Sequence, residues 1–416
     1  MHQLAARAAP PTRRLTTRAA PALHANCGAF GDYWAVQFGS RWSALSSALA
    51  APVEHVAFSN PWRPWSSSLA FHGSRWSKTP SKWRKVSHGG GAVFHMLREP
   101  SRGESAVCPA AATVSGLAAH FALDGASPLP ALALDARPGS RCIDLCAAPG
   151  GKSLILAGEL FGPPAAMVQP SSDAPPAPTT PTLLVTNDRS STRRTRLRAA
   201  LEGFLPAHLL GADLLSADGD GDAGGGSDVA GGDDAGLGPR SGVSVTGADA
   251  ARWGGKEERW AGFFDRVLVD APCSSERHFV HKLVGATPEQ QQVLLGEWSA
   301  SRLGRDAKQQ YAILGNAARL LAAGGRLVYS TCSLDNAQND GVVARLLSSK
   351  KHGAGLTLAD PLERLSEPAL APLVKGVVRT EGGGAIALPD ESRFGPLFWA
   401  VIERREKVVD PGVSIS

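Results

Sequence analysis

Apolar residues in this chain fall in short runs separated by segments with a helical repeat. Cys142-Ile143-Asp144-Leu145, Leu183–Thr186, Val243–Thr246, Arg266–Val269 and Arg326–Ser330 each read as a buried strand. Between them, Ser153–Leu160 and the basic segment Arg193–Leu201 read as helices. A longer helix precedes Arg326: Ala307, Tyr311, Leu314, Ala317, Leu320 and Leu321 form its apolar face, and Gly324-Gly325 are expected to stop it. Leu397–Glu403 is apolar enough for a final strand. Strands alternating with helices predict an α/β fold, a mostly parallel sheet with helices on both faces.

The first third of the chain is patterned differently. Phe38, Trp42, Leu45 and Leu49 recur at three and four residues, so 29–51 is expected to carry a helix face. Residues 113–124 read as a short helix. From Asn60 to Gly91 the text is Trp, Ser, Arg, Lys and Gly with little period, and is expected to be exposed. Its Trp62, Trp65, Trp76 and Trp83, set among Arg and Lys, could stack on and neutralise single-stranded nucleic acid, or could be no more than a linker. Two insertions interrupt the later pattern. Residues 163–182 hold seven Pro in twenty, and 216–242 are rich in Gly and Asp, with seven acids and no base from Asp213 to Gly238. Both fall between elements, where long loops are tolerated.

Charge sharpens this division. The formal net charge of +5 hides 13 Lys/Arg against three Asp/Glu in residues 1–103. Residues 1–31 have Arg7, Arg13, Arg14 and Arg18 and no acid, which fits an organellar transit peptide; a plain basic tail is the other reading. This divides the chain into a leader (1–31), a basic Trp-rich segment with a short helix (32–104), a main α/β domain (105–405) and a tail (406–416). No apolar run approaches the ~18–20 residues of a membrane span. Six Cys in 416 residues exclude a disulfide scaffold, and with no CxxC pair a structural zinc site has no support.

Five constellations carry chemistry. Asp144-Leu-Cys-Ala-Ala-Pro-Gly-Gly-Lys-Ser153 follows a strand and opens a helix, where small residues and free N–H groups allow close approach of a ligand. Cys146 stands where a phosphate-binding loop requires its first Gly, and no GxGxxG occurs, which leaves the glycine loop of an S-adenosylmethionine site. Asp188 ends the next strand, where a carboxylate can accept from ribose hydroxyls. Asp249, after Val243–Thr246, could accept from an adenine amine; Asp213 is its rival. Asp270-Ala-Pro-Cys273 and Ser330-Thr-Cys332-Ser333 each follow an apolar strand. One strand-end Cys means little, but two on neighbouring strands beside an acid point to thiol chemistry.

These residues resemble a family. DLCAAPGGK (144–152), ND with Arg193 following, FDRVLVDAPCS (264–274) and RLVYSTCS (326–333) are similar to the Nop/Sun-domain, RsmB-like RNA cytosine-5 methyltransferases. Gln338-Asn339-Asp340, Phe394-Gly395-Pro396 and the lead FGSRWSALSSAL (38–49), which is like that of the organellar branch, extend the match. The resemblance implies a Rossmann-like fold with a seven-stranded sheet and S-adenosylmethionine as cofactor. It implies Cys332 as the nucleophile that adds to cytosine C6, Cys273 as the thiol that helps remove the C5 proton and release product, and Asp270 as the group holding the base. Cofactor contacts would come from Cys146, Ala147, Ala148, Pro149, Gly150, Gly151, Lys152, Asp188, Arg193, Asp249 and Asp270, with no metal. Asp340 stands where the family often has Glu. No separate RNA-binding module is recognisable.

Organellar rRNA, with tRNA second, is the expected substrate, in the mitochondrial matrix or alternatively a plastid. The catalytic unit is expected to be monomeric, with a protein partner possible for targeting. The rival class is a ribosome-assembly factor that keeps the fold without the activity; it would have lost the nucleophile or the glycine loop, and both stand here.

Overall fold

The computed structural model describes residues 28–62, 83–87, 93–97, 117–162, 180–211 and 241–406. The leader up to residue 27, Trp65 and Trp76, most of both insertions, Asp213 and the end of the tail lie outside the described residues.

The helix expected over 29–51 is two helices, α1 (Gly28–Phe38) and α2 (Trp42–Ala50), separated by a 3-10 turn. Gly39 takes φ +54 there, a left-handed conformation that glycine adopts without steric cost. Phe30, Trp34, Leu45 and Leu49 are buried. Next come β1 (His55–Ser59), β2 (Trp83–Ser87), β3 (Val93–Leu97) and β4 (His120–Asp124). They form an antiparallel sheet in the order β2-β3-β1-β4. Two expectations are corrected here. His120–Asp124 is a strand rather than the end of a helix, because all five residues pair with β1. Trp83 opens a strand within the stretch read as exposed, and Trp62 packs against the hydrophobic core. The β1–β4 pairing also crosses the boundary drawn at 104/105.

The second sheet is built on α3 (Pro128–Ala133), β5 (Arg141–Asp144), α4 (Gly151–Phe161), β6 (Leu183–Asn187), α5 (Ser191–Phe204), β7 (Gly242–Thr246) and β8 (Phe264–Asp270). Then follow α6 (Glu276–Gly285), α7 (Pro288–Glu297), α8 (Ala300–Leu320), β9 (Leu321–Thr331) and α9 (Asp340–Leu347). The strands β7-β6-β5-β8-β9 are parallel. Alternate residues go to opposite faces, as a strand's two-residue period requires. Cys142, Leu184, Leu268 and Val328 enter the core under α3, α4 and α5, whereas Ile143, Val185, Val267 and Leu327 enter the core under α8 and α9. Burial on both faces explains why these strands read as unbroken apolar runs.

The sheet has nine strands rather than seven. β10 (Leu356–Ala359), β11 (Val377–Arg379), β12 (Ala385–Ala387) and β13 (Leu397–Arg404) add an antiparallel edge beyond β9. The long helix ends at Leu320, and Leu321, Gly324 and Gly325 belong to β9. Gly324-Gly325 therefore lie inside the strand and do not cap the helix.

Two contacts place the small sheet over the first loop of the large one. A Cβ on Gly151 would sit 2.2 Å from Leu123 Cδ2, and one on Gly158 would sit 3.1 Å from the Phe58 ring. Phe58 also stacks on Phe204 at 5.5 Å, and Asn60 Nδ2 donates to Ala118 O and Phe204 O.

Candidate active site

The chain reverses its direction of strand addition at β5, which has β6 on one side and β8 on the other. Such switch points leave a crevice outside the carboxyl ends of the strands. The candidate site residues from the sequence, Asp213 excepted, lie at strand ends, in loops or in first helical turns on that side of the sheet.

The β5–α4 loop lines a cleft of about 190 Å³ together with β4, Ser127 and Asp270. Gly150 takes φ +115, and a Cβ there would crowd Ala200 and Leu197 at 3.2 Å. No side chain caps α4, so its first N–H groups are available to an anionic ligand group. Asp144 braces the loop from beneath, accepting from Ser153 Oγ at 2.7 Å and Cys146 N at 3.4 Å. Burial pushes its carboxyl up to about 7 against the bond from Ser153. Burial also pushes the Cys146 thiol up, so it faces the cleft as a neutral group.

Asn187 ties three strand ends together. Its Nδ2 donates to Leu145 O at 2.9 Å and Ala248 O at 3.0 Å, and its Oδ1 accepts from Thr246 Oγ1 and Ala248 N, both at 2.9 Å. Asp188 accepts from Ser190 N at 2.9 Å and lies 3.4 Å from the Arg193 guanidinium. Arg193 also donates to Ala148 O, so it links Asp188 to the glycine loop. Asp249 is 41% exposed, accepts from Ala251 N at 3.1 Å, and lies 3.9 Å from Arg189. Asp188, Arg193 and Asp249 do not line the cleft, which ends at the loop and Asp270.

The third part of the site lies at the ends of β8 and β9. Asp270 accepts from Lys152 Nζ at 2.7 Å and Ser330 Oγ at 2.8 Å. Burial works against the Lys152 charge, but Asp270 outweighs it and holds the ammonium above its ordinary range. The sulfurs of Cys273 and Cys332 are 3.0 Å apart and both are free thiols. The hydrogen bond from Cys273 draws Cys332 below the usual thiol range, against burial. The same bond, with burial, pushes Cys273 well up. The two shifts are opposite in sign, so of the two sulfurs Cys332 is the one that loses its proton more readily.

A polar buckle fixes the two thiol loops to each other. Ser274 Oγ and Ser333 Oγ are 2.8 Å apart, and Leu334 N donates to Glu276 Oε2 at 2.9 Å. Gln338 Oε1 accepts from Gln310 Nε2 at 2.9 Å and Ser274 N at 3.2 Å. Burial pushes Glu276 up to about 7 as well. Sequence reasoning assigned no role to Ser275, Glu276, Gln310 or Gln338. The β4 lining of the cleft was missed because its segment read as helix. Gln338, Phe394 and Gly395 were noted as family marks only; Gly395 N donates to Asp124 Oδ1 at 3.2 Å and so closes the β4 end.

The two raised carboxyls carry a stability consequence. Asp144 and Glu276 hold protons more tightly folded than unfolded, where ordinary values near 4 apply. Their contribution therefore falls as pH rises from about 4 to about 7 and is constant above that. Asp144→Asn removes the titration while keeping an acceptor. Urea unfolding midpoints of D144N should fall less than wild type between pH 5 and 7; parallel pH profiles would refute the assignment.

Comparison with known proteins points one way. The family model for the 16S rRNA methyltransferases RsmB/F matches residues 239–359. The chain is 28% identical over 344 residues to the 5-cytosine rRNA methyltransferase NSUN4 of Bos taurus, covering 76% of this chain and 71% of that one. It is 28% identical over 230 residues to the mitochondrial tRNA (cytosine(34)-C(5))-methyltransferase of Mus musculus, covering 55% of this chain and 49% of that one. The crystal structure of NSun6 from Pyrococcus horikoshii with SFG superposes with a TM-score of 0.51 at 15% identity, covering 91% of this chain and 98% of that one. That likeness shows the Rossmann-like methyltransferase fold.

Proposed function

We infer that this chain, a member of the Nop/Sun-type, RsmB/F-like RNA cytosine-5 methyltransferases, methylates organellar rRNA, with tRNA as the second substrate class. The observation that carries the reading is the pair of free thiols 3.0 Å apart on adjacent strand ends, beside Asp270 and the glycine loop. Cytosine C5 is too weak a nucleophile to take a methyl group unaided. Addition of a thiolate to C6 makes C5 enamine-like, which is covalent catalysis.

The donor set fits S-adenosylmethionine. Uncapped α4 N–H groups suit a carboxylate, Asp188 held by Arg193 suits ribose hydroxyls, and Asp249 at the end of β7 suits an adenine amine. When bound, this cofactor supplies an electrophilic methyl group. The chain's own residues do the rest. Cys332 Sγ forms a bond to C6 as the C5=C6 π pair shifts toward C5, and Asp270 holds the N3/N4 edge of the base. After methylation the C5 proton passes to water, the C5–H electron pair reforms the C5=C6 bond, and the S–C6 bond breaks with its pair returning to Cys332 as thiolate. Cys273 assists that last stage. The target base must be unstacked to meet Cys332, so a single-stranded or extruded cytosine is expected.

A mitochondrial location, in the matrix, is supported by the Arg-rich, acid-free first 31 residues and by the relative whose name places it in mitochondria. A plastid is the alternative. Among the described residues no helix is long and apolar enough to cross a membrane. A monomeric catalytic unit, with a partner for targeting, completes the reading. Bisulfite sequencing of organellar RNA with and without the protein tests it. Loss of methylation at one or a few rRNA cytosines is expected, and an unchanged profile would overturn it.

A further inference from the structure

We propose that Ser275 is a positioning residue for the thiol pair: its hydroxyl donates to Cys332 Sγ and holds negative charge on that sulfur rather than on Cys273. This rests on the proposed role of Cys332 as nucleophile and extends it to a residue with no assigned part.

Three observations converge on Ser275. Its Oγ is 3.0 Å from Cys332 Sγ and 3.5 Å from Cys273 Sγ, so it favours the first sulfur. It occupies the N-cap position of α6, yet its side chain makes no capping bond, whereas Ser190 and Thr287 cap their own helices. A Ser at an N-cap ordinarily bonds the N2 or N3 amide; here the hydroxyl lies against the Cys332 sulfur at 3.0 Å, with a longer contact to Cys273 O at 3.4 Å. The residue also sits at φ +53, ψ 59, a left-handed conformation that a glycine would hold more cheaply. The turn does not need this side chain, and strain of this kind at a reactive site points to function.

The surroundings explain why a neutral donor matters. Asp270 from β8 and Glu276 from α6 both oppose charge on Cys332. Lys152 from α4 is the cation facing it, and its ammonium is bonded to Asp270 at 2.7 Å. The donors that favour the thiolate are the Cys273 thiol and the Ser275 hydroxyl.

The test is residue-resolved iodoacetamide labelling of the full chain across pH, read by peptide mass spectrometry without RNA or cofactor. Ser275→Ala should move the half-labelling pH of Cys332 upward and slow its labelling at pH 7 on the order of tenfold. Ser275→Gly should do the same while relaxing the backbone, and it carries the test if S275A fails to fold. The acid limb of kcat should move up in step, with KM for RNA unchanged. Unchanged labelling of Cys332 in either folded variant overturns the proposal. So does wild-type labelling in S275G with slow labelling in S275A, since the backbone would then be the cause. If labelling shifts as expected but wild-type protein methylates no RNA, Ser275 keeps its role and the reaction assigned to the site fails.

Discussion

Alanine at position 332 should lower methyl transfer to RNA by about 10³-fold or more while leaving cofactor binding close to wild type. Loss of a catalytic nucleophile typically costs at least this much. Among the described residues Cys273 is the one other sulfur within bonding distance of Cys332, and burial and the bond to Cys332 push its thiol well up, which makes it a poor replacement. The substitution should not unfold the chain. Cys332 is half-buried at the edge of the core, so removing one sulfur costs about 1 kcal/mol. Apart from Asp270, the residues proposed to hold the cofactor lie on other loops, at the ends of β5, β6 and β7, and are expected to keep their contacts. Tritium transfer from labelled cofactor and calorimetric cofactor binding check the two halves separately. Retained turnover would refute the nucleophile; lost binding would show that the thiol loop also shapes the cofactor site.

Alanine at position 273 should instead trap the protein on its RNA. In the proposed reaction the S–C6 bond breaks only after the C5 proton has gone, and Cys273 assists that stage. Without it the bond forms and persists, giving a slow-migrating band on a denaturing gel. Removing Cys273 also deprives Cys332 of its thiol donor, so Cys332 moves back toward an ordinary thiol. The adduct should therefore form more slowly at pH 7 than at pH 8.5, yet accumulate at both. Absence of any band with RNA and cofactor present would reverse or void the two cysteine roles.

The parallel half of the molecule was legible because its strands are buried on both faces. Cys142-Ile143, Leu184-Val185 and Leu327-Val328 supply both cores at once and so read as apolar runs. Strand-end residues such as Asp188, Asp270, Cys273 and Cys332 could then be placed by counting from the runs. The small sheet was not legible. β2 is Trp-Arg-Lys-Val-Ser, without a clean alternation, and its pairing with β3 depends on partners outside its own text. β4 holds His120 and Asp124 at its ends and drew a helical reading, although five cross-strand pairs with β1 decide it. Within the site, Ser275 and Glu276 escaped notice because their meaning is spatial. A Ser that ignores its own helix and a Glu that reaches across to Leu334 N look like ordinary helix-start residues in sequence. Lys152 reads in sequence only as part of the cofactor loop, and its bond to Asp270 at 2.7 Å is visible only in space.

The most direct test of the central claim is peptide mapping of the RNA adduct formed by Cys273→Ala. The protein is incubated with rRNA and S-adenosylmethionine, digested with nuclease and protease, and the modified peptide sequenced by mass spectrometry. The mass of a 5-methylcytidine nucleotide on Cys332, and its absence from the Cys273→Ala, Cys332→Ala double variant, is the predicted result. An adduct on any other residue, or one that survives loss of Cys332, would contradict it.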